Sequence, residues 1–321
     1  MYINGVFEGG GVRGISLVGA VKAAELNGIK FRKVAGTSSG SIVASLIAAG
    51  YSADEMKRLI IDMPFSSFLK RAPIFNVKWI GPAMRLLMKK GLYSGEALER
   101  WMCSLLEAKG VRTFGDLEDN QLRIIASDIT NGRLMVLPDD MVQYGVNPKR
   151  FSVCKAVRMS TSIPYFFDPV ILRQSLSADR KKSFKQQFTY VVDGGMLSNF
   201  PLWLFDDDCH PETRRLIPTV GFQMVGKTTN QPHQINGVVS MLQAIVDTMI
   251  SAHDERYIEL HNRFRTVKIP TLGVGITEFD ITLEKSLALF DSGLLSGNEF
   301  FHDWDDKQYE QKLLHTKQRQ K

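Results

Sequence analysis

Residues 31–49 read FRKVAGTSSGSIVASLIAA. A short strand, Phe31 to Ala35, runs into Gly36-Thr37-Ser38-Ser39-Gly40, and Ser41 to Ala49 then reads as an apolar, buried helix. The same order stands just upstream. Tyr2 to Phe7 alternates and is rich in strand formers, a glycine run follows, and Ile15 to Leu26 carries apolar residues at helical spacing up to Gly28. Leu122 to Ser127, Tyr190 to Val192 and Ile217 to Val225 are later strand candidates, separated by helical stretches such as Gly95 to Lys109 and Val238 to Leu260. Alternating strands and helices predict an α/β fold with a mostly parallel central sheet.

The segment Gly36 to Gly40 fits G-x-S-x-G, in which a serine sits on a sharp strand-to-helix turn and its hydroxyl is pushed out over a helix N-terminus. Ser38 is the candidate nucleophile; the plainer alternative is a glycine-rich turn with a capping serine. An alcohol nucleophile needs a base, usually histidine. The six histidines, His210, His233, His253, His261, His302 and His315, all come late and in polar or helical surroundings. Asp193 is the sharper partner. It ends the apolar run Tyr190-Val191-Val192 and is followed by Gly194-Gly195, then Asn199 and Pro201, so its carboxylate is expected at a strand's C-terminal edge, where parallel sheets build their sites. A partly desolvated carboxylate bonded to Ser38 accepts the proton as attack proceeds. Without Ser38, a strand-ending turn aspartate would be the better reading.

Gly9-Gly10-Gly11-Val12-Arg13-Gly14 lies between the first strand and the first helix. Its backbone N–H groups and the Arg13 charge suit an oxyanion hole. The same letters match the dinucleotide fingerprint G-x-G-x-x-G, which calls for an acidic residue at the end of the second strand; Lys30 to Gly40 contains none. Gly221 to Thr228 matches the letters of a phosphate loop, but its inner residues read as a continuing strand and Thr229-Asn230-Gln231-Pro232 follows where a helix should start.

The 321 residues, 44% hydrophobic and 23% charged, are enough for one sizeable core. The net charge of +6 favours anionic partners without choosing among them; no zinc-finger spacing or RNP-type aromatic pattern speaks for nucleic acid. Cys103, Cys154 and Cys209 are few and odd in number, which predicts buried thiols rather than a disulfide framework. The N-terminus lacks a signal-peptide pattern and no run of about 18 apolar residues occurs, so a cytoplasmic protein is expected. Arg173 to Gln187 is polar and basic and reads as an exposed loop. Between Asp62 and Glu96 there is no acidic residue, while Lys70, Arg71, Lys78, Arg85, Lys89 and Lys90 stand among aromatic and aliphatic side chains. Pro64, Pro73 and Pro82 break this stretch into short pieces, which predicts a mobile cap over the site; it either meets an anionic membrane surface as a peripheral contact or is an ordinary cap whose apolar residues pack on the core and whose lysines are solvated.

With these residues in view, the chain resembles the patatin-like phospholipase family. The resemblance rests on Gly9 to Gly14, on Gly36 to Gly40, and on Asp193-Gly194-Gly195 with Asn199 and Pro201. Ser160-Thr161-Ser162-Ile163-Pro164 and Ala126-Ser127-Asp128-Ile129-Thr130 look like weaker internal blocks, so it covers about residues 3–205. It implies a three-layer α/β/α fold, a Ser-Asp dyad without histidine, and hydrolysis of phospholipid or other acyl esters with no cofactor or metal. Carried over by position, Ser38 is the nucleophile, Asp193 the base, and Gly10, Gly11 and Arg13 the oxyanion support. Met159-Ser160-Thr161-Ser162 departs from a block where the family often has alanines. The expected organisation is one domain over 1–321, with 63–95 as cap and 206–321 as its C-terminal part. The alternatives are an acyltransferase using the same dyad, a nucleotide-binding module on the glycine loop, and a catalytically silent lipid-binding protein.

Overall fold

The computed structural model describes residues 1–63, 68, 88–173, 187–209, 216–226, 235, 237, 241, 244–245, 248, 262–276, 278, 281–305 and 309–313. The apolar runs read as strands enter one sheet: β1 (Tyr2–Phe7), β2 (Lys30–Thr37), β4 (Leu122–Asp128), β8 (Phe188–Asp193) and β9 (Thr219–Val225). Three strands with weaker signals join them: β5 (Arg133–Leu137), β7 (Val170–Arg173) and β10 (Thr266–Pro270). A separate pair is formed by β3 (Gly91–Tyr93) and β6 (Tyr165–Phe167). The main sheet runs β10-β9-β1-β2-β4-β8-β7, with β5 also on β4. The ladders from β10 to β4 are parallel, whereas β5, β8 and β7 join antiparallel.

Strand alternation assigns the two faces of the sheet. On β1, Ile3 and Phe7 enter the large core, where Phe7 stacks on Phe222 with ring centroids 4.7 Å apart. Val6 faces the other way, onto Phe200, Leu202 and Phe205. The large core is covered by α1 (Ile15–Leu26), α2 (Ser39–Ala48), α3 (Ala53–Ile61), α4 (Glu96–Ala108), α5 (Val153–Ser160) and α6 (Leu283–His302). Helix α1 is buried nearly all round because it lies against both the sheet and α6. Ser52 opens α3 with a capping box closed by Glu55, and Ser152 and Thr282 cap α5 and α6.

Two sequence expectations need correction. Cys103 on α4 and Cys154 on α5 form a disulfide, with Cα atoms 5.2 Å apart, and Cys209 is exposed; none of the three is a buried free thiol. The pair is 51 residues apart, so only the packing of α4 on α5 reveals it. The strand carrying Asp193 is not part of the parallel set, since β8 runs antiparallel to β4. Most of the 63–95 cap, the Arg173 to Gln187 stretch, the Val238 to Leu260 helix and residues 227–234 lie outside the described residues.

The block Ala126 to Thr130 ends β4 in a tight hairpin to β5. The fully buried Asp128 carboxylate accepts from the Thr130 and Asn131 backbone N–H groups at 3.0 and 2.9 Å, and from Asn131 Nδ2 and Tyr144 Oη at 2.7 and 2.6 Å. Burial pushes its pKa up, but these bonds together hold it below the usual carboxylate value. Asp128→Ala strands several donors, including the buried Tyr144 hydroxyl, and should cost about 2–4 kcal/mol in urea unfolding at neutral pH. The contribution is present above the unfolded pKa near 3.8 and fades as pH falls below it.

Candidate active site

Thr37 ends β2, Ser38 stands alone between strand and helix, and α2 begins at Ser39. Ser38 has φ 51° and ψ −124°, a backbone state that costs a serine roughly 1–3 kcal/mol. The flanking glycines permit it by close approach: a Cβ on Gly36 would run into the Gly40 carbonyl, and one on Gly40 into the Phe7 carbonyl. The G-x-S-x-G spacing is thus a packing requirement between β1, β2 and α2.

Asp193 reaches this elbow through the sheet. β5 occupies one edge of β4 from Ile124 to Asp128, so β2 and β8 share the other. β2 stops where Thr37 meets Ile125, and β8, coming from the opposite direction, stops where Asp193 meets Ala126. The two strands end head to head, and Ser38 Oγ donates to Asp193 Oδ2 at 2.7 Å. The other oxygen, Oδ1, accepts from Gly195 N at 2.8 Å. Asp193 is 1% exposed. Burial raises its pKa from 3.8 to about 7, outweighing the lowering by the Ser38 and Gly195 bonds. A carboxylate poised there suits proton transfer near neutral pH.

The glycine loop presses against the elbow, and most of its N–H groups are already engaged. Gly9 N donates to Asn199 O at 3.3 Å while Asn199 Nδ2 donates back to Gly9 O at 3.0 Å. Gly10 N donates to Ser39 Oγ at 3.0 Å, Val12 N to Ile276 O at 3.2 Å and Arg13 N to Gly10 O at 3.3 Å. Gly11, at φ 58°, has an N–H with no acceptor among the described residues. The buried Arg13 guanidinium donates from Nε to Gly10 O at 3.1 Å. Of the three residues expected to support an oxyanion, Gly11 therefore has a free N–H, Gly10 gives its own to a serine, and Arg13 braces the loop. Sequence reading missed Ser39 because hydroxyl-to-amide bonds between segments 29 residues apart carry no local signal.

Ser160 and Ser162, which stand where the family often has alanines, also meet the site. Ser160 Oγ accepts from Ser38 N at 2.9 Å, and Ser162 O accepts from Asp193 N at 2.9 Å. Beside Ser38 opens an apolar cavity lined by Gly11, Ile15, Ile42, Val43, Ile60, Met63, Phe68, Leu98, Ile163 and Phe167. His302 is exposed at the end of α6 beside Asp303, and the other histidines lie outside the described residues. Among the described residues, no group of three or more His, Cys, Asp or Glu could hold a metal ion, and no helix is long and apolar enough to cross a membrane.

The sequence profile described as patatin-like phospholipase matches residues 5–206, which include the glycine loop, the elbow and Asp193. The Bacillus subtilis (strain 168) protein YqhO, itself uncharacterized, is 40% identical over 309 residues, 95% of this chain and 99% of its own. A protein of invertebrate iridescent virus 6, named probable lipid hydrolase 463L, is 24% identical over 207 residues, 61% of each chain. Among solved structures, VipD from Legionella pneumophila superposes with a TM-score of 0.52 at 16% identity, covering 94% of this chain and 67% of that one. That likeness concerns the fold alone, the three-layer α/β/α class with a mostly parallel sheet. By the matched profile, the chain belongs to the patatin-like phospholipase family and is an enzyme of the esterase and lipase class.

Proposed function

We propose that the protein is a serine acyl hydrolase that cleaves lipid carboxylic esters, in the manner of a phospholipase A or lysophospholipase, with Ser38 as nucleophile and Asp193 as base. The observation that carries this reading is the 2.7 Å bond from a serine on a left-handed elbow to a buried carboxylate of pKa about 7. Asp193 takes the hydroxyl proton as Ser38 Oγ attacks the ester carbonyl. The carbonyl oxygen becomes an oxyanion, met by the Gly11 N–H and the N-terminal dipole of α2. Gly10 joins once its N–H leaves Ser39 Oγ for the stronger acceptor, and Arg13 keeps the loop in place. Collapse expels the alcohol, which takes the proton from Asp193, and leaves an acyl ester on Ser38. Water then attacks the acyl ester and gives its proton to Asp193, which returns it to Ser38 Oγ as the fatty acid is released. The apolar cavity beside Ser38 suits an acyl chain.

The same reading takes 1–321 as one domain, supported by α6 lying along α1 and β10 completing the sheet. It also takes 63–95 as the part that meets an anionic lipid surface. Support comes from the six basic and no acidic residues between Asp62 and Glu96 and from the exposure of Met88, Lys89 and Lys90. The deciding experiment is fluorophosphonate labelling followed by peptide mass spectrometry, with mass spectrometry of a lipid extract after incubation. The expected result is a single adduct on Ser38 and free fatty acid released by the wild type but not by Ser38→Ala. An adduct on another residue, or release that survives Ser38→Ala, overturns the assignment. Flotation with anionic liposomes tests the surface contact, since glutamate at Lys70, Arg71, Lys89 and Lys90 should abolish it.

A further inference from the structure

Ser38 holds a disfavoured backbone state, and such a state persists only when its surroundings impose it. Its N–H is buried in the turn and requires a partner. The partner is not in β2 or α2; it is the Ser160 hydroxyl, at 2.9 Å, at the last residue of α5. Ser160 is fully buried, and its hydroxyl donates a hydrogen bond to Ile125 O at 2.6 Å. Ile125 is the residue of β4 opposite Thr37, so one hydroxyl ties the nucleophile's amide to the strand that sets the level at which β2 and β8 meet.

Two residues later the same turn grips the other half of the pair. Ser162 O accepts from Asp193 N at 2.9 Å, fixing the backbone from which the carboxylate projects. The Ser162 hydroxyl donates to Arg158 O at 2.6 Å and accepts from the Arg158 guanidinium. That guanidinium, 3% exposed, also donates to Ser94 O at 2.5 Å and Asp168 O at 2.7 Å. The turn is therefore clamped to the segments on either side of it, and the Cys103–Cys154 bond holds α5 to α4.

We propose that the turn Ser160–Ser162 is the positioning element that holds Ser38 and Asp193 in register, with Ser160 as its decisive side chain. The proposal rests on the hydrolase reading above and adds a residue that touches neither substrate nor the reacting atoms. Removing the Ser160 hydroxyl orphans the Ser38 N–H and lets the elbow relax, which carries Oγ away from the carboxylate. A misplacement near 1 Å in a reacting group costs on the order of 100-fold in rate.

The pH profile separates alignment from mere destabilisation. The Ser38 bond lowers the Asp193 pKa against the effect of burial, so loosening it moves the acid limb of kcat upward. Of the ionisable groups on β4, α5 and β7, which pack on β8, Arg123 pairs with Asp139, Asp128 is occupied by its hairpin, Lys155 stands at the opposite end of α5 from Ser160, Arg158 is held by the clamp and Arg173 is exposed.

The test compares wild type, Ser160→Ala and Ser160→Cys on a short-chain nitrophenyl ester, with active sites counted by fluorophosphonate and folding followed by circular dichroism. Per active site, Ser160→Ala should lower kcat by about 30–100-fold, leave KM within about twofold and raise the acid limb. Ser160→Cys, which keeps size and a weak acceptor, should recover part of the loss, and it carries the same measurement if the alanine variant does not fold. Wild-type kcat per active site with an unmoved acid limb in folded Ser160→Ala, or in Ser160→Cys where the alanine variant does not fold, overturns the positioning role alone. Failure of the wild type to label at Ser38 overturns the hydrolase reading and this proposal with it.

Discussion

Ser38→Ala and Asp193→Asn should each reduce turnover of a nitrophenyl ester by about 10⁴-fold or more while the protein stays folded, because the proposed nucleophile and base act as a unit. The alanine variant lacks the attacking oxygen. The asparagine variant keeps the shape of the site but has no oxygen basic enough to take the proton, and its amide can donate to Ser38 Oγ where the carboxylate accepted. Losing both residues should cost little more than losing either one. His302→Ala should behave as wild type, since that ring is exposed at the end of α6 and pairs with Asp303. Steady-state kinetics on wild type and the four variants, with circular dichroism alongside, reads the result. A folded histidine variant as inactive as Ser38→Ala would falsify a serine–carboxylate pair working alone.

The same carboxylate ties activity to pH and opposes stability. The proton-accepting form is the ionised one, so kcat should fall about tenfold per pH unit below about 7 and level off above it. For folding the sign is the reverse of the usual carboxylate. The folded-state pKa lies above the unfolded value of 3.8, so the native state holds a proton that the unfolded chain has released. The stability this provides is fully present below about pH 3.8 and is lost as pH rises through about 7. Each pKa unit is worth about 1.4 kcal/mol. Asp193→Asn has no proton to lose, so its stability relative to wild type should improve by about 2–3 kcal/mol between pH 5 and pH 8. An inactive variant that is the more stable protein at pH 8 is the expected finding in urea unfolding at the two pH values. A difference that stays constant with pH would mean that Asp193 is solvated and not a tuned base.

Much of this was legible in the chain because it is local. Strand, glycine loop and helix over Tyr2–Leu26 follow from residue type and spacing, and α1 begins and ends at the expected residues. The elbow is equally local, since Gly36 and Gly40 are the only side-chain choice that lets strand and helix cross so closely. Asp193 stood out because an apolar strand ending in Asp-Gly-Gly is an unusual string.

What the sequence could not reveal are relations between segments far apart in the chain. No periodicity distinguishes a parallel from an antiparallel neighbour when both are buried, so the direction of β8 and the edge of β4 that it shares with β2 appear only in the assembled sheet. β5, β7 and β10 are strands of four or five residues, too short for alternation to mark them. The Cys103–Cys154 bond, the Ser39 contact with Gly10 and the Ser160 contact with Ser38 join residues 29 to 122 apart. Ser38 and Asp193, 155 residues apart, were named by the sequence as candidates. The 2.7 Å between them, and the burial that carries the aspartate to about 7, were set by tertiary structure, because solvent exclusion is a property of everything packed around a group and not of its neighbours in the chain.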